Sequence, residues 1–256
     1  MFEKNQIKNK TISLERAPTG ISGFDDLCEG GLPRNRTYLV AGTSGAGKTI
    51  FGLQYIYNGI TEYGENGLYI AMEERPEQIR ENAKQFGWDL KALEDEGKLV
   101  IVDACSTKLG IPSYEKYIDV RPFEMRSMLD QIMAVQEDID AKRAVVDGAT
   151  SIGFHLQNPL KIRIELLKLS TTLEVLGLTS LMTCEIIDDN TTSRFGVESF
   201  VTEGTILMSN KRMDAVRVRS IEMLKMRGTN HSQRIHPYEI TANGIVIHPN
   251  EEIYSV

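Results

Sequence analysis

The stretch AGTSGAGKTI, Ala41 to Ile50, limits what this chain can fold into more than any other. It carries Gly42, four further residues, then Gly47, Lys48 and Thr49. Glycines at that spacing let a loop turn its backbone N–H groups inward on phosphate oxygens. The apolar run TYLVA, Thr37 to Ala41, precedes it and reads as a buried strand. The stretch from Lys48 to Ile60 follows as a helix with Phe51, Tyr55 and Ile56 on one side. Strand, glycine-rich loop and helix in that order are the P-loop pattern, and the helix N-terminus adds positive potential to it. Gly42, Thr43, Ser44, Gly45, Ala46, Gly47, Lys48, Thr49 and Ile50 are therefore the expected cradle for a nucleoside triphosphate. Lys48 is placed to meet the β- and γ-phosphates, and the Thr49 hydroxyl to ligate Mg²⁺.

A P-loop needs a parallel sheet, and the rest of the chain supplies the pattern. Strand-sized apolar runs occur at Gly67 to Met72, Lys98 to Asp103, Arg143 to Asp147 and Leu178 to Cys184. Helical stretches lie between them: Pro76 to Phe86, a segment starting at Pro122, and Pro159 to Leu176. In the second, Met125, Met128, Leu129, Ile132, Val135 and Ile139 recur at helical spacing and read as core. After Cys184 the pattern becomes strands and hairpins, at Thr205 to Met208, Val216 to Met226, Pro237 to Ile240 and Gly244 to His248. The expected fold is α/β: a mostly parallel central sheet with helices on both faces and a C-terminal antiparallel β extension. At 256 residues the chain suits one such domain over 17–250, with a flexible N-terminal arm over 1–16 and a short tail over 251–256.

Composition narrows the function classes. A net charge of −7 does not suit a chain built to coat nucleic acid. No apolar run is long enough to span a membrane, and MFEKNQIKNK has no apolar secretory core. Cys28, Cys105 and Cys184 are odd in number and widely spaced, which points to reduced thiols in a cytoplasm. His155, His231, His236 and His248 show no zinc-ligand spacing with them.

Two sets of acids call for a chemical reason. Asp147 ends the strand RAVVD, where the acid that holds the metal's water shell belongs. Glu73 and Glu74 end the strand before Pro76 and would lie at the same rim as the P-loop, because ligands sit at the carboxyl ends of such strands. A carboxylate beside a triphosphate is unfavourable unless it has work to do, and polarising a water for attack on the γ-phosphorus is such work. Neighbours on an extended chain point to opposite sides, so one of the pair is expected to face the water. The alternative is that the pair only caps the positive end of the following helix.

With these residues in place the chain resembles the RecA-type ATPases, and within them the KaiC-like proteins related to the cyanobacterial circadian clock ATPase. The resemblance runs from about residue 17 to residue 248. It rests on APTGISGFDDLCEGGLPRNRTYLVAGTSGAGKT, on EERPEQI with FGWDLKALEDEGKLVIVDA, and on RAVVDGATSI, RFGVESFV and KMRGTNHSQRIHPYEIT. Two departures stand out: Asn35 where a glycine is usual, and Gly148 where a serine is common, which removes a hydroxyl near the metal. The family implies ATP with Mg²⁺ as ligands and slow hydrolysis by a homo-oligomeric ring, a hexamer, coupled to signalling or regulation. It makes Glu73 and Glu74 a catalytic pair acting with Lys48, and it gives Asp147 and Thr49 the metal. Lys225, Arg227 and His231 match groups that reach the nucleotide of the adjacent subunit. A basic strand edge that discourages aggregation is the plainer account of Lys225 and Arg227. The partner-docking tail of the clock protein is expected to be absent.

Other outputs remain open. In RecA-type proteins the loop Ile186 to Phe195 would line the axis, and here it holds two aspartates and one arginine. Lys211, Arg212, Arg217 and Arg219 make SNKRMDAVRVRS the best basic stretch for DNA, against the plainer reading of a solvated hairpin. A nucleotide-gated scaffold for an unidentified signalling protein would use the same site. Autokinase activity is disfavoured, because Phe200 beside Ser199 stands where a second hydroxyl would be.

Overall fold

The computed structural model describes residues 14–121, 124–188 and 191–253. Most of the polar N-terminal stretch, and Pro122 as a helix start, lie outside those residues. The chain is tied down by Glu15 and Arg16. The Glu15 carbonyl accepts from Arg34 N–H, and Arg16–Ala17 (β1) pairs with Leu32–Pro33 (β2).

A nine-stranded sheet is the frame. Its strands are Thr37–Gly42 (β3), Gly67–Ala71 (β4), Leu99–Asp103 (β5), Arg143–Asp147 (β6), Thr179–Glu185 (β7), Gly204–Met213 (β8), Val216–Met226 (β9), His236–Thr241 (β10) and Gly244–Ile247 (β11). They lie in the order β11-β10-β9-β8-β3-β7-β6-β4-β5. The six from β8 to β5 run parallel and the last three are antiparallel. The strand before the P-loop and the strand before Glu73 share the sheet but are not neighbours, because β7 and β6 lie between them.

Helices fill both faces, as strands buried on two sides require. They are Lys48–Tyr63 (α1), Pro76–Lys84 (α2), Leu90–Asp95 (α3), Ser106–Leu109 (α4), Met125–Ile139 (α5), Thr150–Leu156 (α6) and Pro159–Val175 (α7). Alternate residues serve opposite cores. Tyr38, Val40, Tyr69, Val145 and Leu181 pack with α1, α2 and α3. Leu39, Ala41, Ile70, Val146 and Met182 pack with α5 and α7. The methionine-rich stripe of α5 joins the second core, with Met128, Ile132 and Val135 buried and Met125, Leu129 and Ile139 packed on them.

The close crossing of α1 over β6 depends on glycine. A Cβ on Gly52 would come 3.0 Å from Val145 Cγ1, and one on Gly59 would come 2.4 Å from Arg143 Cδ. That approach sets the P-loop end of α1 beside the end of β6. Among the described residues no helix is long and apolar enough to cross a membrane.

Candidate active site

The P-loop is a braced turn. Gly45 and Gly47 have φ of +74° and +88°, a left-handed backbone that side chains resist. Strands outside the motif hold it in place. Thr43 N–H donates to Met208 O at 3.3 Å, and Asn210 N–H donates to Thr43 Oγ1 at 3.2 Å. Asn210 Nδ2 and Arg219 Nε both donate to Gly45 O, at 3.3 and 3.4 Å. The Tyr238 hydroxyl donates to Ala46 O. The basic stretch at Ser209 to Ser220 is thus the tip of the β8–β9 hairpin, and two of its residues reach back to the phosphate loop.

Lys48 stands where phosphate oxygens would be its partners. Its ammonium donates to Gly42 O at 2.9 Å and Thr43 O at 3.2 Å. Burial lowers its pKa, against the pull of Glu185 and Asp147.

Asp147 is held on both oxygens. Oδ2 accepts from Tyr69 OH at 2.6 Å and from Thr49 Oγ1 at 3.0 Å, and Oδ1 accepts from Thr183 Oγ1 at 2.7 Å. Thr183 Oγ1 in turn accepts from Gly148 N–H at 2.7 Å. The Thr49 hydroxyl and the Asp147 carboxylate therefore present adjacent hard oxygens beside Lys48. That donor set fits Mg²⁺, which shares a carboxylate with phosphates and keeps much of its water.

The two glutamates differ. Glu73 turns toward the site: its side chain lies over Gly148, so close that a Cβ there would be 2.5 Å from Glu73 Cγ. Burial, then the charges of Glu185 and Asp147, push its carboxyl pKa up, while Lys48 and Lys108 pull it down. Glu74 turns toward α2, where Oε2 accepts from Asn82 Nδ2 at 3.3 Å. Its pKa is also raised, by burial and then by Asp147. The glycine at 148 thus makes room for Glu73, a consequence the missing serine hydroxyl alone does not reveal.

Lys225, Arg227 and His231 do not join this cluster within one chain. Lys225 on β9 pairs with Thr205, level with Leu39, so it lies toward the amino end of the P-loop strand. Its ammonium donates to Thr202 O at 2.7 Å and to Ser199 O. Arg227 bonds Glu203 at 2.7 Å, and His231 Nδ1 donates to Ser232 O at 2.8 Å.

Sequence reasoning passed over Glu185, whose charge acts on both Lys48 and Glu73. A signal was available: Glu185 ends β7 as Asp147 ends β6. It also passed over Lys108, which has no such signal.

Comparison with known proteins finds relatives over nearly the whole chain. A family profile described as "ATPase: KaiC" matches residues 17–252. The circadian clock oscillator protein KaiC of Synechococcus elongatus is 39% identical over 246 residues, which is 96% of this chain and 46% of that protein. The KaiC of Parathermosynechococcus lividus is 40% identical over 238 residues, 92% of this chain and 43% of the relative. The chain therefore spans less than half the length of these relatives. A crystal structure of a KaiC-like protein from Pyrococcus horikoshii superposes with a TM-score of 0.80 at 38% identity, covering 93% of this chain and all of that one.

Proposed function

Because the chain belongs to the KaiC ATPase family, we propose that it binds ATP with Mg²⁺ and hydrolyses it slowly as a homohexameric ring in the cytoplasm, with the cycle coupled to signalling or regulation. On this reading the loop from Gly42 to Ile50 cradles the phosphates. Lys48 leaves the carbonyls of Gly42 and Thr43 for the β- and γ-oxygens. Thr49 and Asp147 would hold Mg²⁺, which when bound offsets charge on the triphosphate. Glu73 accepts the proton of the attacking water, and Glu74, steered by Asn82, supports its placement. Lys225, Arg227 and His231 reach the nucleotide of the neighbouring subunit.

The observation that carries this reading is the position of Glu73. It is folded over Gly148, beside Asp147 and within the field of Lys48. A residue that merely capped α2 would turn as Glu74 does. Binding to DNA is not favoured, since the chain carries a net charge of −7.

The test is Mg²⁺-dependent ATP turnover for the wild type, Glu73→Gln and Glu73→Gln/Glu74→Gln, with ATP affinity and mass measured on the same samples. Turnover by a hexamer that falls about 10²-fold or more in Glu73→Gln, with ATP still bound, is the expected result. A wild type that needs ATP to assemble but never hydrolyses it would replace this reading with a nucleotide-gated scaffold.

A further inference from the structure

The geometry points to Lys108 as a positioning residue for Glu73, an inference that rests on the proposed hydrolysis. Lys108 lies on α4, the short helix after the edge strand β5. Asp103 fixes the start of that helix: its Oδ1 accepts from Cys105 N–H at 3.0 Å and Ser106 N–H at 2.9 Å. From there the Lys108 ammonium reaches inward to Met72 O at 3.4 Å and Ser151 Oγ at 3.2 Å. Met72 immediately precedes Glu73. Ser151 belongs to α6, and its N–H donates to Gly148 O at 2.9 Å. One cation therefore ties the backbone just before Glu73 to the segment that the Glu73 side chain folds over.

Charge gives the tie a purpose. Glu73 shares its surroundings with Asp147 and Glu185, and two cations, Lys48 and Lys108, act against them. When a triphosphate arrives, Lys48 is drawn to its oxygens and its charge is spent there. Lys108 is then the cation left to hold Glu73 in place among like charges.

Packing alone does not account for a lysine here. Burial penalises its charged form and lowers its pKa, against the pull of Asp119 first and of Glu73 after it. It borders a cavity of about 580 Å³ whose lining mixes Met72, Met125 and Met128 with Asp119 and Glu124.

Turnover, the KM for ATP and thermal unfolding of the full chain, in Lys108→Met and Lys108→Arg, separate a functional from a structural lysine. Lys108→Met is expected to lower kcat per folded molecule about tenfold and to leave KM within about twofold. Lys108→Arg should recover most of the lost rate. In a Glu73→Gln background Lys108→Met should have no further effect. An unchanged kcat in Lys108→Met while Glu73→Gln is inactive overturns the inference and leaves the proposed hydrolysis standing. So does a parallel loss of rate and thermal stability that arginine does not rescue. Full turnover in Glu73→Gln overturns both, because Lys108 would then have no base to position.

Discussion

Arg143 opens β6 and Asp147 closes it, and the surroundings of these two charges differ in kind. Arg143 is fully buried and met on every side. It bonds Glu65 at 2.6 Å, Pro18 O at 2.7 Å and Tyr55 O at 3.2 Å, and it lies over the Tyr55 ring at 4.7 Å. Around Asp147 the hydrogen bonds are also complete, but Glu73, Glu74 and Glu185 gather with Lys48 as the P-loop cation among them. Folding neutralises Arg143 at the amino end of β6 and leaves the carboxyl end acidic. The excess negative charge suits a bound cation, and it suits basic groups from elsewhere. The amino rim carries such groups in Lys225 and Arg227. One end of the strand is built for stability, the other for a ligand.

Substitutions at the two ends should therefore separate rate from stability. Glu73→Gln should lower ATP turnover by about 10² to 10⁴ while leaving the unfolding midpoint unchanged or higher, since it removes a like charge. Arg143→Met should do the opposite. It leaves Glu65 with Arg34 alone and the carbonyls of Pro18 and Tyr55 without their donor, and should cost about 3 kcal/mol in denaturant unfolding, with turnover per folded molecule retained. If Arg143→Met lost turnover without losing stability, the division between the ends would fail.

Gly148→Ala probes the boundary between them. Its Cβ would meet Glu73 Cγ at 2.5 Å, and its backbone has a φ of +91°. About 1 kcal/mol of stability and several-fold in turnover should go together, because strain and displacement of Glu73 come from one methyl group. The smallest effect is on pH dependence. Burial alone would raise the Glu65 carboxyl, but its bonds to Arg143 and Arg34 outweigh this and hold it below 4.5. It contributes stability at neutral pH that is lost as the pH falls through its lowered value. Glu73 is shifted the other way, so its protonated form favours the fold below pH 4.5, and that contribution is lost as the pH rises through its raised value. Urea unfolding of Glu65→Gln and Glu73→Gln between pH 3 and 7 should show slopes that differ from the wild type in opposite senses.

Much of this was legible in the sequence where one residue pattern has one physical meaning. Buried parallel strands must be nearly continuous apolar runs, so β3 to β7 could be read directly. Acids at strand ends placed Asp147 and Glu73 at the P-loop rim. The sheet order was not legible, because nothing local tells β4 to pair with β6 rather than β3. The short helices α3, α4 and α6 were missed, although Asp89 accepts from Ala92 N–H as an N-cap and left a readable mark. Lys108 left none. Its reach to Met72 O depends on α4 turning back over the sheet edge, which no periodicity records. The hairpin cations were read by charge alone, whereas Arg219 reaches the P-loop because β8 and β9 extend past Gly42.

In the proposed ring, Lys225 and Arg227 of one subunit complete the P-loop rim of the next. Mixing two inactive variants tests it most directly. Lys48→Ala subunits keep Lys225 and Arg227 but lose the phosphate lysine, and Lys225→Ala/Arg227→Ala subunits keep the P-loop. Each should be nearly inactive alone. In equal mixture, turnover should recover to about a quarter of the wild-type rate, since half the P-loops are intact and half of their neighbours bring the cations. Mixed rings of the correct mass with no recovered turnover, or full turnover by Lys225→Ala/Arg227→Ala alone, would contradict it.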